Sequence, residues 1–403
     1  MSTVPAAIWA FMAGRRLTRA KETTMNRIYH HHRLSIVIRF SLLIAGMPVS
    51  LCAGADQDLG DFKVFPDDNV WKWDISGYQV HPNSANFITS VGAVAKLHPD
   101  FGTVWDGAPI GIPYQVVTSS QPLIPVVYTD YGDESDPGPF PIPLTAAIEG
   151  TGASTGDRHV ITVDKDRKIL YELYYAFPQT DHWNASSGAK FDLTINEDHP
   201  LGWTSADAAG LPIFPGLVRY EEVYIKGEVN HAIRMTVANS QKLYIYPARH
   251  YASSSTNTNL APMGLRFRMK ASYAISGFSA PIQVICKAMK KHGLIVADNG
   301  SNWYISGAPD PRWNDDTLGE LKTIPGSAFE AVLTVDSQGN PIKPSGTIEK
   351  PIKSSDAQSS AGSKYQFVNV KWLFGRSNPH VRTVVNGKAF DMQGKSVGIR
   401  SPQ

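Results

Sequence analysis

The sequence predicts a mostly β protein, an antiparallel β-sandwich or jelly roll with a few short helices. Short segments in which apolar and polar residues alternate recur along the chain, and turn-forming residues separate them. The 403 residues include 33 glycines and 28 prolines, which favours many turns. Helical periodicity stands out in one segment. This combination is typical of sandwiches and barrels built from many short strands.

The first 55 residues have the order of charge, apolarity and small side chains of a secretory signal. A basic stretch from Met25 is followed by an apolar run over 34–47 and by the small residues of 53–55. This order predicts export rather than a membrane span, with translation from Met25 and cleavage after Ala55. Cys52 leaves a lipoprotein open, although the leucine before it is large for a lipidation motif. We expect a secreted or periplasmic protein with no stable membrane span.

Charge and cysteine content narrow the function classes. Residues 1–55 hold seven of the 38 Lys/Arg and one of the 36 Asp/Glu residues, so the chain after residue 55 has a net charge of −4. Proteins that bind nucleic acid have a strong basic excess, so we expect no nucleic-acid partner. Only Cys286 remains after residue 55, which excludes an intramolecular disulfide. A chain of this length can bury a large core without one, and we expect a monomer.

Composition predicts four regions. The leader over 1–55 is followed by a β-rich globular domain over 56–336. Gly, Ser, Pro and Lys dominate 337–364, which favours a flexible linker or a long loop. A C-terminal extension over 365–403 carries one strand-like piece.

Within the domain, local patterns predict two hairpins and one helix. The first hairpin joins 159–164 to 169–175 through a Lys-Asp turn, and the second joins 218–225 to 231–237. A helix is predicted from Pro281, because an apolar stripe of helical spacing is followed by basic residues and a glycine. A strand over 294–297 follows it.

Three acidic residues and one histidine are the candidate catalytic residues. Asp207 is the only charged side chain in a loop of small residues. Its carboxylate either acts as an acid, a base or a ligand, or stabilises the loop by accepting hydrogen bonds from backbone N–H groups. Glu222 and Asp192 are predicted on strands, where each is either a second carboxylate for glycosidic cleavage or a structural charge. His231 shares a strand face with apolar residues, so it is either a general base or a core histidine.

Metal and cofactor signals are weak. His159, His231 and His250 would bind a metal only if the fold brought all three together, and the sequence lacks a close pair such as His-x-His. We therefore expect no metal and no cofactor.

Arginine and tryptophan supply the candidate substrate-binding residues. Apolar and basic residues alternate over 265–270, which predicts a row of cations on one strand face. Such a row would suit uronate carboxylates, and the alternative is a solvated outer sheet face. Tryptophan rings stack on sugars, although most belong to the core. The candidates are Arg158, Trp203, Arg234, Arg266, Arg268 and Trp303.

Three stretches of the chain resemble a widespread group of secreted microbial proteins. They are 202–219, with the run Gly-Trp-Thr-Ser-Ala-Asp-Ala-Ala-Gly, then 262–270, and 297–307, with Ala-Asp-Asn-Gly-Ser. The resemblance spans the region from residue 60 to residue 335. It implies secretion and a single-domain body, and it carries no activity with it.

These patterns favour a secreted carbohydrate-active enzyme that cleaves an extracellular polysaccharide, as a glycoside hydrolase or a polysaccharide lyase. A lyase would need a base and an arginine that neutralises a carboxylate, whereas a hydrolase would need two acids. A non-catalytic secreted glycan-binding protein and a structural envelope protein are the alternatives.

Overall fold

The computed structural model of the chain describes residues 59–344 and the backbone of three short strands within 383–397. The predicted leader lies outside the described residues, and so do residues 345–364 of the predicted linker and the strand-like piece of the C-terminal extension. No described helix has the length and apolar character needed to cross a bilayer.

Most regular structure in the described part of the chain is strand, and the helices are short. The α-helices are α1 (Ser84–Val91), α2 (Ala280–Lys291) and α3 (Asp315–Gly319), and residues Glu221–Lys226 form a π-helix. The strands are β1 (His98–Asp100), β2 (Val104–Trp105), β3 (Ala108–Pro109), β4 (Tyr114–Val117), β5 (Val126–Tyr128), β6 (Val160–Asp164), β7 (Ile169–Tyr174), β8 (Phe177–Pro178), β9 (Trp183–Ala185), β10 (Ser187–Asp192), β11 (Ile233–Val237), β12 (Ser240–Tyr244), β13 (Ala261–Met263), β14 (Arg266–Met269), β15 (Leu294–Asn299), β16 (Tyr304–Ser306), β17 (Phe329–Val332), β18 (Thr383–Val385), β19 (Lys388–Phe390) and β20 (Ser396–Val397).

The strands form several sheets of mixed direction. The largest has the order β1-β16-β11-β15-β14-β17, and a four-stranded sheet has the order β10-β7-β6-β4. Parallel pairs occur in both, β11 with β15 and β4 with β6 among them. The mostly β fold with few short helices is thus confirmed, but the purely antiparallel pairing is wrong. A sandwich or jelly roll stays a prediction.

Local sequence patterns located one hairpin and the main helix correctly. Strands β6 and β7 pair antiparallel with Asp164 opposite Ile169, as the first predicted hairpin requires. Helix α2 and strand β15 follow one another as predicted. The second hairpin is wrong, because Glu221–Lys226 is a π-helix that ends at Gly227 in the left-handed conformation. The stacked rings of Tyr220 and Tyr224 and the Arg219–Glu222 ion pair have helical spacings.

The large sheet is covered on both faces, so side-chain alternation does not separate core from solvent. All four residues of β14 are buried. Phe267 packs against Trp303 on one side. On the other side, Arg266 and Arg268 donate hydrogen bonds to backbone carbonyls of residues 70–78. A solvated row of cations on this strand, expected as one reading of the alternation, is therefore wrong.

The described body continues past residue 336. Residues 336–340 form a turn that the Asp336 carboxylate braces through backbone N–H groups. Val335 then bridges to Pro341, and the Tyr78 hydroxyl donates to the carbonyl of Ile342. The first part of the segment predicted as a linker is thus packed on the domain.

Candidate functional site

An ion pair between Arg234 and Asp207 lies at the centre of the site. Arg234 is on β11, and its Nε and Nη2 donate to the two Asp207 oxygens at 2.9 and 2.8 Å. Asp207 is fully buried. Its loop is held by the Ser205 hydroxyl, which accepts from the Asp207 N–H, and by Gly210, whose φ of +68° and close approach to the Trp203 carbonyl exclude a side chain. A planar guanidinium suits this two-pronged contact.

Asp298 extends the pair toward the surface. It lies on β15 opposite Thr236 of β11, and its Oδ2 accepts from Arg234 Nη2 at 3.1 Å. Ser306 accepts from the remaining Arg234 nitrogen at 2.9 Å. The Asp298 side chain is 21% exposed. Burial and the nearby Asp207 charge outweigh Arg234 and raise the pKa of Asp298 to about 7. Near neutral pH this carboxyl group can therefore carry a proton.

A histidine–glutamate pair lies beside this group. His159 Nδ1 is 2.6 Å from Glu149 Oε2, and its Nε2 is 3.1 Å from the Ala206 carbonyl. Burial opposes protonation of His159, but the Glu149 carboxylate outweighs it and raises the histidine pKa to about 9. Burial likewise opposes ionisation of Glu149, and the His159 charge outweighs it and lowers the Glu149 pKa. Both groups are charged at neutral pH.

Two further carboxylates, Asp157 and Asp100, lie near the Glu149–His159 pair. Ligand atoms of Glu149, Asp157 and His159 lie within 4.8 Å of one another, and this set could hold a metal ion. The expectation of no metal stays a prediction. Asp100, at the end of β1, is close enough to Glu149 for their charges to interact; partial burial and this charge raise the pKa of Asp100. Asp100, Glu149, Asp157 and Asp298 are named the acidic cluster below.

Glu172 is a further buried carboxyl group close enough to Asp207 for their charges to interact. It lies fully buried on β7, and its carboxylate accepts hydrogen bonds of 2.9–3.0 Å from the N–H groups of Ile213 and Phe214. Burial raises the pKa of Glu172 to about 7, with the Asp207 charge contributing. The sequence contained a signal for it, since Glu172 shares a strand face with Leu170 and Tyr174.

Glu222 and His231 do come together, but not with Asp207. His231 Nε2 is 3.2 Å from Glu222 Oε2, and Arg219 donates to the other Glu222 oxygen. Burial opposes ionisation of Glu222, but Arg219 and then His231 outweigh it and lower its pKa to about 2. These three residues line a cleft of ≈ 500 Å³. Asp207 and Glu222 therefore belong to different hydrogen-bonded groups, Asp207 with Arg234 and Glu222 with Arg219 and His231.

The three predicted histidines have separate partners. His159 contacts Glu149, His231 contacts Glu222, and His250 Nδ1 lies 2.9 Å from the Ala208 carbonyl.

Asp192 and the two tryptophans have local structural contacts. Asp192 accepts from the N–H and hydroxyl of Thr194, at 2.8 and 2.6 Å, at the end of β10. Trp203 is partly exposed and packs edge-on against His199. Trp303, a candidate for sugar stacking, is fully buried and donates to the Gly92 carbonyl at 2.9 Å, so its ring has no face open to a sugar.

The remaining predicted arginines are buried and donate mainly to backbone carbonyls. Arg158, which precedes β6 rather than lying on a strand, donates to the carbonyls of Gly152, Ser154 and Ala176. Arg268 binds three carbonyls and Glu330. Arg266 binds the Val70 carbonyl, and its Nε and Nη1 have no hydrogen-bond partner among the described residues. With these contacts the arginines hold the fold together.

No protein-family model matches the chain, and no significant match was found among curated proteins or solved structures. The resemblance to secreted microbial proteins therefore stays a prediction.

Sequence reasoning missed Glu172 and all four residues of the acidic cluster, Asp100, Glu149, Asp157 and Asp298. Asp298 was detectable in principle, because it follows the buried run Leu294–Ala297 at the carboxyl end of a strand. Glu149 lies in an irregular segment, where no periodic pattern marks it.

Proposed function

We propose that the chain is an exported glycoside hydrolase that cleaves an extracellular polysaccharide, with Asp298 as its general acid. The observation that carries this proposal is a partly exposed carboxyl group at the outer end of a buried network, where burial raises its pKa to about 7. Enzymes that cleave glycosidic bonds commonly raise the pKa of one carboxyl group for this task. The predicted leader and the resemblance to secreted microbial proteins support export.

In the proposed reaction, Asp298 donates its proton to the glycosidic oxygen as the bond from that oxygen to the anomeric carbon breaks. Water forms a new bond to the anomeric carbon, and its proton passes to the ionised Glu149. Arg234 fixes the position of Asp298, and Asp207 fixes Arg234. His159 favours the ionised form of Glu149, whereas burial favours the protonated form of Asp298 up to about pH 7, so the two pKa values are displaced in the directions that a base and an acid require.

Charge around Asp298 favours a neutral or amino sugar as the substrate. The acidic cluster would repel a uronate, whereas it would attract an amine-bearing sugar. A lyase would also need a cation for the uronate carboxylate, and Arg234 already binds Asp207, Asp298 and Ser306. The charge and hydrogen bonding of this site support hydrolysis more than elimination.

The test is a polysaccharide screen with a matched pair of variants. Hydroxyethylcellulose, glycol chitosan and polygalacturonate are incubated with the exported protein, and the assay follows new reducing ends and ultraviolet absorption of unsaturated uronates. We expect reducing ends from one of the first two, and a rate lower by about 100-fold or more in Asp298→Asn. Asp181→Asn, an exposed carboxylate beside His182, is the control and should turn over normally.

Three outcomes would contradict the proposal. Normal turnover by a folded Asp298→Asn variant would exclude this residue as the acid. Unsaturated products would indicate a lyase. Binding without new reducing ends would favour a non-catalytic glycan-binding protein.

A further inference from the structure

A short hairpin holds one tryptophan out in solvent. Strands β2 and β3 pair with Trp105 opposite Ala108, and Asp106 and Gly107 form the turn with φ of 49° and 79°. Positive φ at both turn positions is the geometry of the tight hairpin turns that match strand twist. Trp105 is 77% exposed. A tryptophan exposed to this extent leaves a large, flat apolar ring open to contact with a ligand.

The base of this hairpin is anchored to the body. Asp315 Oδ1 accepts from the Thr103 N–H at 3.0 Å, and the Thr103 hydroxyl donates to the other Asp315 oxygen. The Gly102 N–H donates to the Ile110 carbonyl at 3.1 Å, which closes the hairpin. A Cβ on Gly102 would lie 2.5 Å from Asp315 Oδ1, so only glycine permits this contact. The ring therefore projects from a fixed support.

The hairpin lies next to the acidic cluster in the chain. Asp100 belongs to the cluster and precedes Trp105 by five residues, which span at most about 17 Å. Trp105 therefore lies within the reach of a polysaccharide whose scissile bond is at Asp298.

We propose that Trp105 forms a sugar-binding subsite, in which the indole ring stacks on a neutral or amino sugar several units from the scissile bond. This inference rests on the proposed function, because the sugar that stacks on Trp105 belongs to the same polysaccharide that the proposed hydrolase cleaves. A flat apolar ring offers contact area to the C–H face of a sugar, and its electron-rich face also attracts a cationic amine. A subsite remote from the cleavage point strengthens binding of long chains without touching the reacting atoms.

The kinetic test compares Trp105→Ala, Trp105→Phe and the control Leu123→Ala on whichever of hydroxyethylcellulose and glycol chitosan the wild type cleaves. Leu123 is also exposed, at 53%. We expect KM for Trp105→Ala to rise about 3- to 10-fold with kcat within about two-fold, and Trp105→Phe to recover most of the loss. The control should match the wild type. An unchanged KM for Trp105→Ala would overturn the subsite.

A binding test separates this inference from the proposed function. Electrophoretic retardation in gels that contain each of the two polysaccharides is measured for the wild type and for the same variants. If the wild type is retarded without cleaving and Trp105→Ala is not retarded, the subsite stands and the hydrolase proposal fails. If Trp105→Ala is retarded like the wild type, or if no protein is retarded by either polymer, the subsite is refuted.

Discussion

Replacing Asp207 by asparagine would test whether the buried network is organised around Arg234. The substitution keeps the shape of the side chain and removes one negative charge from a fully buried pair. Breaking a buried ion pair by removing one partner costs about 3–5 kcal/mol, because the other charge is left without compensation. Asp298 still contacts Arg234 Nη2, so part of the compensation survives. We expect a loss at the lower end, about 3 kcal/mol, and a midpoint of thermal unfolding lower by roughly 5–10 °C.

Urea unfolding at pH 8 gives the free energies, with Asp192→Asn as a control for loss of a carboxylate in a surface turn. The single variant Asp298→Asn leaves Arg234 paired with Asp207, so the double variant is the informative one. When both carboxylates are removed, the buried Arg234 guanidinium has no carboxylate partner. The double variant should therefore lose more free energy of unfolding than the two single variants together. A loss below about 1 kcal/mol for Asp207→Asn, or single losses that simply add, would refute this reasoning.

Three further predictions concern protonation and burial. Burial raises the pKa of Asp298 to about 7, so the folded state binds more protons than the unfolded state between about pH 4 and 7. The free energy of unfolding, measured by urea titration, should therefore fall as the pH rises through this range. The fall should be less steep in Asp298→Asn. Glu149 raises the pKa of His159 to about 9, so the stability that this histidine contributes is complete below pH 6.5 and is lost as the pH rises through 9. In Glu149→Gln the free energy of unfolding should depend less on pH over that range. An unchanged dependence would count against the His159–Glu149 pair. Burial raises the pKa of the Cys286 thiol to about 12, so iodoacetamide should label it only in urea, and rapid labelling of the folded protein would contradict its burial.

Local patterns predicted those parts of the fold that depend on neighbouring residues. The hairpin of β6 and β7 needed only alternation and a turn, and α2 needed only an apolar stripe between a proline and a glycine. The segment Glu221–Lys226 has apolar residues at spacings that suit both a strand and a helix. Side-chain pairs such as the stacked rings of Tyr220 and Tyr224 favour the helix.

The site could be predicted only in part, because its contacts join distant segments. Asp207 and Arg234 were both candidates, but 27 residues separate them and nothing local pairs them. Asp298 lies 64 residues from Arg234 and reaches it through the parallel pairing of β11 and β15. For the arginines of β14, alternation predicted a polar strand face. It could not show that backbone carbonyl groups, rather than solvent, cover that face.

The hydrogen bonds from β14 to residues 70–78 also restrict the order in which the protein can fold. Arg268 and the carbonyls it binds are separated by 190–193 residues, and Tyr78 and Ile342 by 264. The amino-terminal end of the body is synthesised first, yet its partners appear only after most of the chain exists. Contacts so distant in sequence slow folding, so nascent chains should stay open for a long interval. Such a delay would be compatible with the proposed export, because a chain that crosses a membrane through a translocation pore must remain unfolded until it has passed.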